Sequence, residues 1–282
     1  MMNNLLSLKL KMMQSTEIYG FHKGQSPLLV SIPHDGRAIL ENMSPVMTPE
    51  AQSLPDTDWH TTKLYEFCKK IRASVINANY SRFVIDLNRS QEGDSLYQDH
   101  HATDLCPASL FSGGKIYNDI DEIEESEVKR RVQSYWLPYH EKIRASLDAI
   151  KSDYGYALLW DAHSIQSRVP NLFEGKLPDL NIGTNSGKSC PSIIERSIYE
   201  IARESGYSVA LNERFKGGYI TRQYGKPNDS IYAIQLEIAQ SCYMDESSLV
   251  YDNILAEKLT KVLKIMMDTF MIGAKKLQNL SA

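Results

Sequence analysis

Two short, nearly uninterrupted apolar runs constrain the fold of this chain more than any other feature. Residues 28–32 lead into His34, and residues 156–160 lead into Asp161 and His163. Apolar runs of this length, bounded by turn residues, are typical of strands buried on both faces in the parallel sheets of α/β proteins. Ligands of open α/β sheets bind beyond the carboxyl ends of the strands. We therefore expect both histidines at one sheet edge, in a metal site or a general-base site; the alternative for each is a structural imidazole.

The composition excludes several classes of protein. The chain has 282 residues, of which 42% are hydrophobic, enough for one large core or two modest ones. Its formal net charge of −4 argues against nucleic acid or an anionic membrane as the main partner. No run approaches the roughly 18 consecutive apolar residues that a membrane span needs. The four cysteines are far apart in sequence, which favours free thiols in a reducing cytosol, and we expect a cytoplasmic protein.

Predicted strands alternate with predicted helices along the rest of the chain. Residues 1–13 are interpreted as a frayed N-terminal leader and residues 14–282 as a single domain. Further strands are predicted at 74–79, 83–87, 208–211 and 232–238, and helices at 64–71, 120–152 (bent or divided at Pro138), 191–206 and 251–278. Irregular segments at 41–58, 90–118 and 165–187 separate them, and the last two are expected to gather over the strand ends. This alternation predicts an α/β fold with a mixed, mostly parallel sheet.

Charged residues inside apolar segments are the next signal. Glu237 interrupts the most apolar strand of the C-terminal half, and an isolated buried carboxylate must meet a metal, a cation or water. It is a candidate general base; the alternative is a partner for a buried arginine. The predicted strand at 83–87 runs into Asn88 and Arg89, whose planar fork can grip a carboxylate. An ion pair between Asp86 and Arg89 is the alternative there.

Two further residues carry a weaker signal. Arg222 follows a Gly-Gly turn and offers a second cationic anchor, with an ordinary loop arginine as the alternative. His140 lies on the predicted 120–152 helix and is more readily explained as a structural residue than as part of a site.

Five motifs, taken in order, resemble those of the N-formylglutamate amidohydrolases. They are Pro33-His34-Asp35-Gly36, Asp56-Thr57-Asp58-Trp59-His60, residues 82–89, Trp160-Asp161-Ala162-His163-Ser164, and Gly217-Gly218-Tyr219-Ile220-Thr221-Arg222 through Gln235-Leu236-Glu237-Ile238. Residues 105–107 and 243–246 also resemble the branch that deformylates N-formylglutamate in histidine breakdown. The resemblance extends from about residue 26 to about residue 246 and implies a metal-dependent amide hydrolase acting on a small molecule with two carboxylates.

The resemblance also implies a metal site. The family is related in fold to the zinc carboxypeptidases and aspartoacylases, so we expect a three-layer α/β sandwich that binds Zn²⁺ or another divalent metal. A His-Ser pair at a strand end supplies one ligand in those relatives, matching His163, and an earlier strand-end histidine supplies another, matching His34. Their third ligand is a glutamate at the position where this chain has Arg37. Asp58 is the candidate replacement, because a carboxylate completes a three-ligand catalytic zinc site. The alternatives for this third ligand are Asp56 and His60.

Roles for the remaining residues follow from the same resemblance. Two imidazoles and a carboxylate leave one zinc position open for water, which Glu237 would deprotonate for attack on the formyl carbon. Arg82 would help to stabilise the oxyanion. The Asn88-Arg89 pair would hold one substrate carboxylate and Arg222 the other. Asp161 is expected to orient a ligand histidine.

Two other functional classes remain open. One is a hydrolase of the same fold that acts on a different N-acyl amino acid, or a carboxypeptidase-like enzyme. The other is a non-catalytic protein that binds a small ligand or a metal on the same scaffold. The second class is disfavoured because the chain retains both histidines, the arginines and a glutamate inside a strand. A non-catalytic protein has no chemical need for that glutamate.

Overall fold

The computed structural model of the protein describes residues 17–92 and 104–281. The proposed leader at residues 1–13 and residues 93–103 of the predicted 90–118 loop lie outside the described residues. The strands are β1 (Tyr19–His22), β2 (Leu28–Ile32), β3 (Ser74–Ala78), β4 (Ala157–Ile165), β5 (Leu180–Gly183), β6 (Val209–Leu211), β7 (Ile231–Ala239), β8 (Met244–Asp245) and β9 (Val250–Tyr251). The α-helices are α1 (Thr61–Leu64), α2 (Glu125–Arg131), α3 (Leu137–Tyr154), α4 (Ser192–Glu204), α5 (Tyr219–Tyr224) and α6 (Asn253–Ser281).

Seven strands form one sheet in the order β1-β3-β2-β4-β7-β5-β6. The central strands β3, β2, β4 and β7 run parallel to one another. β1 is antiparallel to β3, β5 is antiparallel to β7, and β6 is parallel to β5. β8 and β9 form a separate hairpin. The predicted mixed, mostly parallel sheet is confirmed.

Helices cover both faces of the sheet, because the central strands are apolar on both sides. On one face Trp160 of β4 packs against Phe270 of α6, with the ring centroids 6.2 Å apart. On the other face Leu159 shares a buried cluster with Ile143 and Leu147 of α3. The architecture is the expected three-layer α/β sandwich. None of the helices in the described residues combines a bilayer-spanning length with the necessary hydrophobicity.

Residues 83–87 do not form a strand, so that prediction is wrong. The segment turns instead, and the Arg89 N–H donates to the Asp86 carbonyl at 3.2 Å. Carbonyl oxygens at positions 84, 87 and 89 accept hydrogen bonds from side chains of the following helical region rather than from a neighbouring strand. The apolar side chains of this segment are buried, but the segment is not paired in a sheet. Apolar composition alone therefore could not distinguish it from a strand.

Two strand boundaries also differ from the prediction. β4 continues to Ile165, so Asp161 and His163 lie inside the strand rather than after it. Its parallel ladder with β7 extends to the pair Ile165 and Ala239, which keeps both strands extended through their polar positions. β5 lies within the predicted 165–187 loop, where polar and glycine-rich composition concealed a short antiparallel strand.

The predicted division of the 120–152 helix is confirmed. A π-helical turn at Val132–Trp136 separates α2 from α3. Pro138 lies in the first turn of α3, directly after the π turn, and its missing N–H interrupts the hydrogen-bond ladder of the continuous helical segment there.

Candidate active site

β4 and β7 bring polar side chains together at the carboxyl end of the sheet. In their parallel register His163 is opposite Glu237, and Asp161 is opposite Gln235. Side chains alternate along a strand, so these four share the sheet face of Leu159, which α3 covers. All four are buried. A shift of the register by one residue would turn them into the opposite, apolar layer.

Three side chains of metal-ligand type meet at this edge, namely His34, Asp58 and His163. Their candidate ligand atoms all lie within 4.8 Å of one another, and all three residues are buried. His34 follows the end of β2, and Asp58 is held beside it because the Asp58 N–H donates to the His34 carbonyl at 3.1 Å. The Asp58 carboxylate in turn accepts the Ser164 N–H at 3.1 Å, which fixes it against β4.

Each imidazole has one nitrogen facing Asp58 and the other facing a second carboxylate. The Nδ1 atoms of His34 and His163 lie 3.7 Å and 3.2 Å from Asp58 Oδ2. His34 Nε2 lies 2.8 Å from Asp86 Oδ1, and His163 Nε2 lies 3.1 Å from Asp161 Oδ1. At His34 the contact with Asp86 is a hydrogen bond, and metal-binding histidines are commonly oriented in this way by a carboxylate on the nitrogen that does not bind the ion.

Burial and neighbouring charges shift the pKa values of these groups. Burial, together with the charge of Arg82, lowers the pKa of His34. Burial also acts to lower the pKa of His163, but the Asp161 carboxylate outweighs it, and the pKa is raised well above its usual value. Burial raises the pKa of Glu237 to about 8, although the charge of His163 opposes this shift. The environment of His163 thus favours positive charge.

The two alternative third ligands lie elsewhere. Asp56 Oδ2 accepts the Phe111 N–H at 2.9 Å, and His60 Nε2 lies 2.9 Å from the Leu249 carbonyl oxygen. In the part of the chain that the structure describes, neither belongs to the group of potential ligands around His34, whose carboxylate is Asp58.

Arg82 is buried next to the ligand group. Its guanidinium donates to Asp86 Oδ2 at 2.6 Å and lies 3.8 Å from Asp58 Oδ1. Phe111 covers the guanidinium, whose central carbon is 4.6 Å from the ring centroid. Burial opposes ionisation of Asp86, but the charge of Arg82 together with the charge and hydrogen bond of His34 outweighs it, and the pKa of that carboxyl lies well below its usual range.

Asn88 connects His163 to the start of α5. Its Oδ1 accepts the Ile220 N–H at 2.8 Å, and its Nδ2 lies 3.0 Å from His163 Nε2. Gly218 allows this approach, because a Cβ at that position would lie 2.2 Å from Asn88 Nδ2. Asn88 was expected at a substrate carboxylate, and its amide is engaged on both sides by the protein itself.

The two candidate arginine anchors lie on neighbouring elements. Arg89 follows Asn88, is half-buried, and its carbonyl oxygen accepts the Trp136 indole N–H at 3.0 Å. Arg222 lies on α5, and its Nε donates to the Gly217 carbonyl at 2.7 Å. Arg222 therefore lies on a short helix and not in the loop that the alternative interpretation assumed.

Most of the chain matches one family model, that of N-formylglutamate amidohydrolase, over residues 26–244. The chain belongs to the N-formylglutamate amidohydrolase family. It is 46% identical over 265 residues to a protein from Pseudomonas putida named N-formylglutamate deformylase, covering 93% of this chain and 99% of that relative. The identity to a protein of the same name from Pseudomonas aeruginosa is 43% over 262 residues, covering 92% and 98%.

Solved structures share the fold of this amidohydrolase. The crystal structure of N-formylglutamate amidohydrolase from Ralstonia eutropha JMP134 superimposes with a TM-score of 0.76 at 21% identity, covering 93% of this chain and 99% of that one. A structure from Agrobacterium tumefaciens gives a TM-score of 0.69 at 15% identity, covering 90% and 96%. At these identities the likeness concerns the fold alone.

Sequence reasoning about this chain missed the role of Asp86 as the partner of His34. The same signal that singled out Glu237 was present, because Asp86 is a carboxylate in an apolar segment and must be compensated when buried. His140, the weaker candidate, lies outside the ligand group. It is buried, with Nε2 2.9 Å from the Leu87 carbonyl oxygen and Nδ1 3.0 Å from the Tyr224 hydroxyl.

A cavity of about 200 Å³ borders the ligand group of this amidohydrolase. Asp56, Phe111 and Ser164 line it, and Arg168 adds a cation at its wall. Ser164 follows His163, so the cavity reaches the segment that carries a candidate ligand.

Proposed function

We propose that this amidohydrolase removes the formyl group of N-formyl-L-glutamate, giving L-glutamate and formate, with a divalent metal as cofactor. Two relatives that match nearly the whole chain are named N-formylglutamate deformylase, which supports the substrate. The single observation that carries the mechanism is the ligand group of His34, Asp58 and His163, with Glu237 opposite His163 in the register of β4 and β7.

The donor set fits Zn²⁺ or a similar divalent ion. Two imidazoles and one carboxylate are a common catalytic zinc set, and the Asp86 carboxylate orients the ring of His34. The raised pKa of His163, caused chiefly by Asp161 against the effect of burial, supports a site that accepts positive charge. When bound, such an ion would polarise the formyl carbonyl and lower the pKa of a water molecule toward ~7.

Glu237 is the proposed proton carrier. It would take a proton from the attacking water and return it to the amide nitrogen as the C–N bond breaks, so that the products are formate and the free amine. Burial raises the pKa of Glu237 above the ordinary value of a glutamate, toward the range in which a group can both accept and release a proton near neutral pH. Arg82 is proposed to stabilise the developing oxyanion, since its guanidinium lies beside Asp58.

The arginines are proposed to hold the two carboxylates of the substrate. Arg89 would grip one of them with its planar fork, and Arg222 would hold the other. Asn88 is proposed to contribute to the first anchor, and its contact with His163 ties that anchor to the reaction centre. Holding the substrate at both ends fixes the formyl carbon relative to Glu237.

The biological setting is a further part of the proposal. We propose a role in histidine degradation, which rests on the resemblance of residues 105–107 and 243–246 to the deformylating branch of the family. A cytoplasmic location is supported by the four cysteines, all of which are free and buried.

A metal assay combined with formate release tests the function. The purified protein should contain about one divalent ion per chain and release formate from N-formylglutamate. Dialysis against a chelator should abolish formate release, and Zn²⁺ or another divalent metal should restore it. Full activity in metal-free protein would refute the metal-dependent mechanism.

The choice of substrate is tested with analogues. If both carboxylates are held, N-formylleucine should be a poorer substrate than N-formylglutamate by about 2 kcal/mol or more in kcat/KM, because its side chain cannot form the charged contact with one of the two half-buried arginines. N-acetylglutamate serves as the second comparison. A rate on N-acetylglutamate equal to or above that on N-formylglutamate would favour a related hydrolase of another N-acyl amino acid.

A further inference from the structure

The π turn between α2 and α3 lies against the segment that carries the substrate-binding candidates. The turn covers Val132–Trp136. Single π turns within α-helices are rare and are frequent at functional sites, because the extra residue redirects side chains on one face.

Three side chains of this helical region donate hydrogen bonds to carbonyl oxygens of the 84–89 segment. The pairs are Arg131 to Val84 at 2.9 Å, His140 to Leu87 at 2.9 Å and Trp136 to Arg89 at 3.0 Å. These carbonyl oxygens are therefore satisfied by side chains of the helical region rather than by a neighbouring strand, and the backbone of the segment is tied to that region.

The π turn is what aligns these donors. Arg131 and Trp136 are five residues apart, which in an α-helix would place them about 140° apart around the axis. A π turn closes i to i+5 hydrogen bonds, so residues five apart come to lie on nearly the same side. His140 follows Trp136 at the α-helical spacing of four, and the two rings stack with their centroids 3.8 Å apart.

The same two rings contact the helix that carries Arg222. Tyr219 of α5 lies 5.5 Å from Trp136 and 5.4 Å from His140, between ring centroids. The Tyr224 hydroxyl lies 3.0 Å from His140 Nδ1. Because a carbonyl oxygen only accepts, His140 Nε2 carries the proton toward Leu87, and the Tyr224 hydroxyl also donates to the His140 carbonyl at 3.1 Å.

We propose that Trp136 and His140 are positioning residues that set the Arg89 anchor relative to the Arg222 anchor. The inference rests on the proposed function, since it takes both arginines as groups that hold the substrate. Neither ring is required to touch the substrate. Their effect reaches it through the carbonyl oxygens of Leu87 and Arg89 and through the packing of α5.

Paired variants at the two positions test this inference. Trp136→Phe keeps an aromatic ring but loses the N–H, and His140→Leu loses both hydrogen bonds of the imidazole. Each should raise KM for N-formylglutamate roughly five- to tenfold, the effect of losing one buried hydrogen bond to the 84–89 segment, with kcat within about threefold of wild type. His140→Gln keeps a donor near the position of Nε2 and should restore KM to within about twofold of wild type.

Trp160→Phe is the matched control. Trp160 is also buried and its indole N–H also makes one hydrogen bond, to the Tyr65 hydroxyl at 3.1 Å, but on the opposite face of the sheet. It should leave KM unchanged, and bound metal should be unchanged in every variant. Wild-type KM in both Trp136→Phe and His140→Leu, or an equal rise in Trp160→Phe, would overturn the inference.

A measurement independent of catalysis separates this inference from the proposed function. Hydrogen exchange of the peptide covering residues 83–92, followed by mass spectrometry, should be faster in Trp136→Phe and His140→Leu and unchanged in His140→Gln and Trp160→Phe. If the wild-type protein releases no formate from N-formylglutamate, the proposed function fails, while the exchange rates still decide whether the two rings hold the segment. Unchanged exchange in both Trp136→Phe and His140→Leu would refute the inference that the two rings hold this segment.

Discussion

Asp58 is the residue on which the candidate ligand group converges. Its Oδ2 accepts the Ser164 N–H and faces the Nδ1 atoms of both His34 and His163. Burial alone would raise the pKa of Asp58, but the hydrogen bond with His163 and the charges of His34, His163 and Arg82 together outweigh it, and the pKa is lowered. The carboxylate is thus ionised, the state in which it can bind a cation.

Replacing Asp58 tests its assignment as the third ligand. Asp58→Asn keeps the size of the side chain and removes its charge, so Zn²⁺ affinity should fall by more than ~100-fold. Asp56→Asn is the matched control, since Asp56 is a buried aspartate two positions away and should leave affinity within about threefold. Competition with a chromogenic chelator measures both. Normal affinity in Asp58→Asn together with loss in Asp56→Asn would transfer the assignment to Asp56.

Glu237 and His163 are opposite each other in the sheet, but substituting each of them should have a different effect on the protein. His163→Ala removes a proposed ligand, and its metal content after purification should fall well below one ion per chain. Glu237→Gln removes only the proton carrier, so the metal should stay bound while turnover slows by ~10²-fold or more. Elemental analysis and a formate assay on the same samples distinguish the two. A Glu237→Gln protein with wild-type turnover would place the general base elsewhere.

The two arginine anchors should differ in their tolerance of lysine. Arg89→Lys should lose more than one hydrogen bond would suggest, about 2 kcal/mol or more in kcat/KM, because an ammonium cannot form the bidentate contact. Arg222→Lys should mostly raise KM, as expected when uniform binding is removed. Steady-state kinetics with N-formylglutamate measure both effects. Wild-type behaviour of Arg89→Lys would mean that another group, such as Arg168 at the neighbouring cavity, holds the carboxylate.

The candidate metal ligands were easier to predict from the sequence than the residues that contact them. His34, Asp58 and His163 carried motifs that could be matched, and the structure brings them together. The partnership of Asp86 with His34 could not be derived, because it depends on a turn that brings residues 52 positions apart in the chain within 2.8 Å. Local spacing contains no information about such contacts.

At the scale of the secondary-structure elements, continuous apolar runs were reliable where a neighbouring strand was present. β2, β3 and β7 lie close to their predicted positions because burial on both faces requires apolar residues throughout. β1 and β5 lacked that signal, since they join the sheet as antiparallel strands of four residues each. Residues 83–87 are also a continuous apolar run but do not form a strand, because side chains of the helical region bind the carbonyl oxygens of this segment.

The start of α5 should be sensitive to a single methyl group. A Cβ at Gly218 would lie 2.2 Å from Asn88 Nδ2, so Gly218→Ala must displace Asn88 from Ile220 and His163. We expect a loss of about 1–3 kcal/mol in the free energy of unfolding and at least about tenfold in kcat/KM. Gly206→Ala is the control, because no atom lies within 4 Å of its added Cβ.

The two glycine variants differ in the kind of strain they introduce. Gly206 has a φ of +85°, so alanine there should cost about 1 kcal/mol in the free energy of unfolding without affecting kcat/KM. Urea unfolding and steady-state kinetics of the two proteins make the comparison. Equal activity of Gly218→Ala and wild type would show that the Asn88 contacts are dispensable.

At the scale of the whole molecule, one buried histidine makes stability depend on pH. Burial lowers the pKa of His140 to about 3 from an ordinary value near 6.5, with a smaller contribution from Arg144. Between pH 6.5 and pH 3 this histidine is protonated in the unfolded chain but not in the folded protein. The free energy of unfolding therefore falls as pH falls below about 6.5. The contribution is complete above pH 6.5 and is lost progressively toward pH 3.

His140→Gln should flatten this dependence. The variant lacks the titrating group, so its stability should fall less than that of wild type between pH 7 and pH 5, by at most about 1.4 kcal/mol per pH unit for one proton. Urea unfolding at both pH values gives the difference. Parallel curves for the two proteins would mean that His140 takes up its proton without unfolding.

The parallel pairing of β4 with β7 also bears on how the chain reaches its native state. Asp58 and His163, which meet in the ligand group, are 105 positions apart in sequence, and β7 begins far beyond them. Contacts of such long range form slowly, because a large loop must close, with a loss of chain entropy, before the strand pairing can stabilise the protein. During refolding, helix content and burial of the indoles should therefore recover before formate release does. The return of enzymatic activity would then report when the final strand pairing forms, a step that spectroscopic probes of local structure do not detect.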